Sequence, residues 1–299
     1  MNLEVEEICG VGPALVDRIC RIDRYPERGG QAIVRESIKQ AGGAAANTIF
    51  GLASFGEKCK FYTTLGEDAD ANFFTSSLER VGVGVSSKVT HPETGRVDIY
   101  VDKEGERTFF VHPNAAGSVE GLEDVVESYE NRLFYLDPFP AKSSFDVHLK
   151  IASKAKEGGS FNVLNPGYPY SSIGFDRLSR LLRFVDIVIM SRPEFEMLGV
   201  GPEKILKYVK VLVVTEGEEG SRAYVDGKVF HCPAFRVRAV DTTGAGDSFA
   251  AGFIKAMLED YSVESCLKAG NFVASYNVQH YGARNFPEWG DVVSILRKR

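Results

Sequence analysis

Cysteine is scarce and dispersed. Cys9, Cys20, Cys59, Cys232 and Cys266 are odd in number and never fall in a CxxC pair. That excludes a closed disulfide framework and zinc-site spacing, and predicts a reducing compartment, the cytoplasm. Histidine is equally thin, with five residues spread along the chain. Long basic runs are absent. The tight cluster Arg297-Lys298-Arg299 closes the chain, and the formal net charge is −6, so no nucleic-acid partner is expected. No apolar run is long enough to span a bilayer, so no membrane partner is expected either. Glu4, Glu6 and Glu7 stand where a signal peptide would place basic and then apolar residues. Fixed-period repeats and low-complexity tracts are missing too.

What is present is an ordinary globular composition. The chain has 299 residues, 44% of them hydrophobic and 25% charged, enough for a sizeable core in one α/β unit spanning 1–299. A short apolar, β-branched run ending in Gly, Asn, Ser or Pro recurs. It appears at Lys60–Leu65, Leu133–Leu136, Phe161–Leu164, Val185–Met190 and Val211–Val214. Helical patterns lie between them, around Ala71–Val81, Phe145–Glu157 and Phe175–Phe184. Strand, crossover, strand predicts a mostly parallel sheet flanked by helices.

Two segments break the rhythm. Asp17–Ser37 is polar and shows no helix. Gly95–His112 alternates apolar and polar residues around Lys103-Glu104-Gly105-Glu106, the pattern of an antiparallel hairpin with a glycine turn. Together, 17–37 and 95–112 predict a small antiparallel sheet standing off the main body. It is either a lid over a site or a plain edge hairpin. Tyr100 and Phe110 within it either pack in the sheet or stack on a substrate ring.

The run DTTGAGDSFAAGF at 241–253 places two aspartates around a glycine turn where a helix begins. Val237–Val240 is predicted as the preceding strand and Ser248–Glu259 as the helix. In open α/β sheets, ligands bind at the carboxyl ends of strands. Glycines there let backbone N–H groups converge, and a helix N-terminus adds partial positive charge. Gly244, Ala245 and Gly246 are therefore a candidate anion hole. Asp247 is either an ordinary N-cap or a base that accepts the proton of an attacking hydroxyl. A second glycine pair, Gly42-Gly43, opens a helix with Asn47 one turn in. Its amide can both donate to and accept from a polyhydroxyl ligand. Gly10-Val11-Gly12 lacks the third glycine of a dinucleotide fingerprint.

GGAAANTIFGLASFG at 42–56 resembles the N-terminal signature of the ribokinase (PfkB) family of carbohydrate kinases. DTTGAGDSFAAGF resembles the family's C-terminal signature almost residue for residue. Between and around them, Gly12…Asp17, Gly66-Glu67-Asp68, Thr94-Gly95…Gly105-Glu106-Arg107-Thr108, Asn165-Pro166 and Thr215–Gly220 extend the likeness over nearly the whole chain.

The resemblance implies a ribokinase-like fold and an ATP-dependent transfer of phosphate to a hydroxyl. It implies Asp247 as base, Gly244, Ala245 and Gly246 as the anion hole, and Asp17, Gly43 and Asn47 around a sugar-like substrate. Thr215, Gly217 and Gly220 would face the nucleotide, with Asn271 near the adenine. Magnesium is implied with ATP. Family members bind it through water near Asn-x-x-Glu; here the run is Ser191-Arg192-Pro193-Glu194, with Glu194 kept and Ser in place of Asn. Several members use a monovalent cation beside the residues matching Asp241 and Thr243. A homodimer through the lid also fits the resemblance. The substrate stays open between a sugar or sugar acid and a nucleoside. Arg96 and Arg107 are candidate contacts for a substrate phosphate. The rival reading is a ligand-binding regulator on the same fold, without turnover.

Overall fold

The computed structural model describes residues 4–297; Lys298 and Arg299 of the basic terminus lie outside them. In chain order the strands are β1 (Glu7–Val11), β2 (Leu15–Ile22), β3 (Val34–Gly42), β4 (Cys59–Leu65), β5 (Gly84–Val89), β6 (Gly95–Val101), β7 (Arg107–His112), β8 (Arg132–Leu136), β9 (Phe161–Leu164), β10 (Ile187–Ser191), β11 (Val211–Thr215), β12 (Ser221–Val225) and β13 (Lys228–Cys232). The helices are α1 (Ala44–Ser54), α2 (Ala69–Glu79), α3 (Ser144–Glu157), α4 (Gly167–Ser171), α5 (Phe175–Leu182), α6 (Arg192–Met197), α7 (Pro202–Ile205), α8 (Ala245–Leu258), α9 (Val263–Asn277) and α10 (Trp289–Arg297).

The main sheet has the order β13-β12-β11-β10-β9-β8-β1-β4-β5. From β11 to β5 the pairings are parallel, and β12 and β13 add antiparallel strands at one edge. Its central strands are buried on both faces, which is why they read as unbroken apolar runs rather than alternating ones. One face packs Ile49, Phe61, Phe74, Ile254 and Val273 beneath α1, α2, α8 and α9. The other packs Phe134, Phe139, Ile151, Leu178 and Leu212 beneath α3 and α5.

The second sheet has the order β3-β2-β6-β7 and comes from the two segments that broke the sequence rhythm. Its outer pairings are antiparallel, and β2 meets β6 in parallel. Gly105 takes φ +86° at the hairpin tip, where a side chain would be strained. Register places Ile38, Ile19, Ile99 and Phe109 in one row, and Gln40, Asp17, Val97 and Val111 in the next row of the same face. Arg18 and Lys39 point the other way and pair with Asp70 of α2, at 3.3 and 2.5 Å.

One predicted strand does not form. Val237–Val240 is irregular, with Val237 and Val240 exposed. It joins neither sheet, although β13 leaves an edge unpaired there. It is held instead by Val240 and Asp241 N–H groups donating to the Val278 carbonyl, at 2.7 and 3.1 Å.

Candidate active site

α1 and α8 begin beside each other at the carboxyl end of the sheet. Gly43 caps α1 with φ +101°, and a Cβ there would overlap the Pro13 carbonyl. At Gly42 the constraint is different, since any side chain would overlap the Asp17 carboxylate. The glycine pair thus brings the helix start against the turn after β1 and leaves room for an acid. Gly244 caps α8 with φ +73°, closely packed on Ala283. α8 therefore starts at Ala245, three residues earlier than predicted, and Asp247 is its third residue rather than its N-cap. Its carboxylate is free to face the site.

Asn47 donates its side-chain N–H to Asp247 Oδ2 at 2.9 Å. The same amide accepts from Arg284 Nε at 2.9 Å, and Arg284 Nη1 donates to Ser77 Oγ at 2.9 Å. Thr48 Oγ donates to the Asp247 carbonyl at 3.3 Å. The other Arg284 terminal nitrogen, Nη2, is buried without a hydrogen-bond partner. Burial pushes the Asp247 carboxyl up to about 6, against the opposing pull of Asn47 and Arg284. Burial likewise raises Asp17 to about 6, with Arg284 opposing it. Burial draws the Arg284 guanidinium down to about 10, against the attraction of Asp17 and Asp247.

Asp137, at the end of β8, is buried, and its carboxyl is held well above the usual range by burial and then by the charge of Asp247. Glu194 adds to that repulsion. Asn165 Nδ2 donates to Asp137 Oδ1 at 3.2 Å. Neither Asp137 nor Arg284 was singled out from the sequence. Asp137 had a faint signal, an acid at the carboxyl end of a predicted strand. Arg284 had none, because it lies in an irregular segment after α9.

The departure at Ser191 has a local reason. Ser191 caps α6: its hydroxyl accepts from Glu194 N–H at 3.5 Å, and Glu194 Oε2 accepts from Ser191 N–H at 2.8 Å. This reciprocal box ties down one carboxylate oxygen of Glu194. Among the described residues, no group of three or more His, Cys, Asp and Glu side chains is placed to chelate a metal ion.

The turn 241–246 is held from several sides. Asp241 Oδ1 accepts from Thr243 N–H at 2.8 Å, and Oδ2 from Gly282 N–H at 3.0 Å. Arg107 of β7 lies 2.8 Å from Asp241 Oδ1. Burial would raise the Asp241 carboxyl, but these donors outweigh it and leave it below its ordinary range. Asn277 donates to the Thr243 carbonyl at 2.7 Å. Ala245 N–H turns back to the Thr242 carbonyl at 3.2 Å, so the open end of α8 rests on Gly244 and Gly246.

The remaining predicted residues form a second group. Thr215 ends β11, and Gly217 and Gly220 follow with φ +59° and +103°. Arg192 binds Glu216 and Glu219 of that loop at 3.1 and 2.6 Å. Asn271 donates to the Cys232 and Pro233 carbonyls at 2.9 and 3.2 Å, bracing the chain against which Gly220 packs. Asp68 caps α2 and accepts from Thr94 N–H at 2.6 Å, which anchors the start of β6. In the second sheet, Tyr100 and Phe110 pack edge to face with centroids 5.8 Å apart. Arg96 is paired with Asp98 at 3.2 Å.

The chain is similar over its whole length to kinases of known structure. The nucleoside kinase of Methanocaldococcus jannaschii is 28% identical over 306 residues, covering 100% of this chain and 99% of that protein. Its crystal structure matches with a TM-score of 0.88 at 26% identity, over 100% of both chains. The ATP-dependent ribose-1-phosphate kinase of Halopiger xanaduensis is 29% identical over 293 residues, 95% of each chain. Arabidopsis thaliana ribokinase, solved with ribose and ATP, matches with a TM-score of 0.82 at 26% identity over 100% of both chains. Residues 5–289 match the model of the pfkB family carbohydrate kinases, and the chain belongs to that family.

Proposed function

We propose that this kinase transfers the γ-phosphoryl group of ATP to a hydroxyl of a small molecule carrying a ribose-like ring, with Asp247 as the base. The observation that carries the reading is the Asn47–Asp247 contact at the shared openings of α1 and α8. Burial at that contact holds the Asp247 carboxyl up at about 6, beside a helix N-terminus. A base poised there is ionised at neutral pH yet still able to take a proton.

Asp17, Gly43 and Asn47 hold the hydroxyls of the substrate. Asp247 accepts the proton of the attacking hydroxyl. The new bond forms from that oxygen to the γ-phosphorus as the bond to the β–γ bridging oxygen breaks, and ADP leaves. Gly244 and Gly246 at the opening of α8 hold the transferring group, with Ala245 shaping the turn; such preorganised donors are usually the largest electrostatic contribution. Thr215, Gly217 and Gly220 border the nucleotide, and Asn271 keeps that border in place. The second sheet acts as a lid that keeps water from the transferring group.

Magnesium fits this site only through water. Asp137, Asp247 and Glu194 crowd negative charge together, while Glu194 has one oxygen engaged by Ser191. Asp137 and Glu194 would hold its hydration shell. When bound, the ion neutralises the β- and γ-phosphates.

A nucleoside substrate is the second reading, favoured by the apolar face that carries Asp17 beside Val97, Ile99 and Phe109. Exposed Val34, Ile38, Phe109 and Val111 on that sheet support a homodimer through the lid. No described helix is long and apolar enough to cross a membrane. The cysteines are free, which supports a reducing cytoplasm.

The test is ADP release with ATP and magnesium across pentoses, hexoses, sugar acids, sugar phosphates and nucleosides, beside Asp247→Asn. A substrate-dependent signal lost in the variant is expected. Calorimetric binding of a panel compound with no turnover would overturn the kinase reading in favour of the regulator.

A further inference from the structure

The Arg107 guanidinium sits where two parts of the molecule meet. Arg107 opens β7, two residues past the hairpin tip at Gly105. Nη2 lies 2.8 Å from Asp241 Oδ1, and Nη1 donates to the Thr243 hydroxyl. The Asp241 side chain is 5% exposed and that of Arg107 is 32% exposed. Gly105, Glu106, Arg107 and Phe109 face residues 239–243 across an open cleft of about 610 Å³. The lid therefore reaches the turn of the anion hole through one charged side chain.

This arrangement does not fit a monovalent metal ion beside Asp241 and Thr243. Asp241 Oδ1 already accepts from Thr243 N–H and faces Arg107, and Oδ2 accepts from Gly282 N–H. An ion placed there would meet a guanidinium charge at contact distance.

We propose that Arg107 is a positioning residue that acts as the built-in cation of the 241–246 turn and latches the second sheet onto it. A buried carboxylate left without its partner is costly. Lifting the hairpin strips Asp241 of its cation, so lid opening and loosening of the anion hole are one event. Closure over substrate restores both. The role rests on the kinase reading, because the turn it braces is the one assigned to the transferring phosphoryl group.

The experiment compares wild type, Arg107→Met, Arg107→Lys and the hairpin control Glu104→Ala, all as the full chain. Turnover is measured in potassium, sodium or tetramethylammonium chloride at matched ionic strength. Wild type and Glu104→Ala should be indifferent to the cation. Arg107→Met should lose about tenfold or more in kcat. Potassium or low guanidinium should recover part of the loss, and Arg107→Lys should lose less. A readout without turnover accompanies it: protease cleavage at residues 102–106 should speed up in Arg107→Met. In a melting-temperature cycle with Asp241→Asn, the two changes should be strongly non-additive.

Potassium activation of the wild type over tetramethylammonium would overturn the proposal. So would an Arg107→Met variant with normal kcat and a protected hairpin. If no acceptor supports turnover in the wild type, the kinase reading fails. The cleavage and melting measurements then still decide whether Arg107 latches the sheet to the turn.

Discussion

Asn47 donates to Asp247 at 2.9 Å across a sequence separation of 200 residues. The two side chains come from the first turns of α1 and α8, and the contact fixes which way the Asn47 amide faces. Its oxygen is engaged by Arg284 Nε, so its nitrogen is left for the carboxylate.

Asp247→Asn separates chemistry from folding. It should leave the fold and substrate binding in place and lower kcat by roughly 10²–10⁴. Its thermal stability at neutral pH should equal or exceed that of the wild type. The folded-state pKa of Asp247 is raised from 3.8 to about 6, so the ionised carboxyl opposes folding at neutral pH, and stability is gained as pH falls from about 6 towards 3.8. A neutral amide removes that cost. Calorimetric melting and ADP release on one preparation check both halves, and near-normal turnover would rule Asp247 out as the base.

Arg284 sets the acid limb of the pH profile. With Asp247 near 6, kcat/KM should fall as pH drops through about 6. Arg284 favours the ionised form, directly and through Asn47. Arg284→Gln should therefore move the acid limb to higher pH, while Arg284→Lys should move it less because it keeps the charge. A limb at the wild-type position in Arg284→Gln would show that the guanidinium does not act on the base.

The two glycines of the turn should respond in opposite ways. Gly244→Ala puts a side chain at φ +73° against Ala283 and should cost about 1–3 kcal/mol of stability. Gly246 is inside α8 with open space around it. Gly246→Ala should leave stability equal or higher by up to about 1 kcal/mol, from helix propensity. It should still lower kcat, because the methyl stands beside the proposed anion hole. Denaturant midpoints and turnover distinguish the two.

Ser191 and Glu194 can be separated. Ser191→Ala removes the α6 cap and should cost about 1 kcal/mol with little change in magnesium requirement. Glu194→Gln keeps the shape but loses the charge, and should raise the magnesium concentration needed for half-maximal rate. An unchanged magnesium titration in Glu194→Gln would remove it from the metal's hydration shell.

The sequence by itself determined the layered α/β plan, because buried parallel strands require continuous apolar runs and crossovers require helices between them. It also determined the two glycine-opened helices and the hairpin. Glycine marks those places because Gly43, Gly105 and Gly244 take positive φ, which side chains rarely adopt. It misplaced the strand at Val237–Val240, where the backbone N–H groups of Val240 and Asp241 find the Val278 carbonyl rather than a sheet edge. Arg284 carried no pattern at all, Asp137 only a faint one, and Arg107 pointed to a substrate phosphate rather than to Asp241. Their positions follow from packing between segments far apart in the chain. Burial beside Asp17 and Asp247 alters the charge behaviour of Arg284, and burial with Asp247 alters that of Asp137; only the tertiary structure decides which charges share a low-dielectric space.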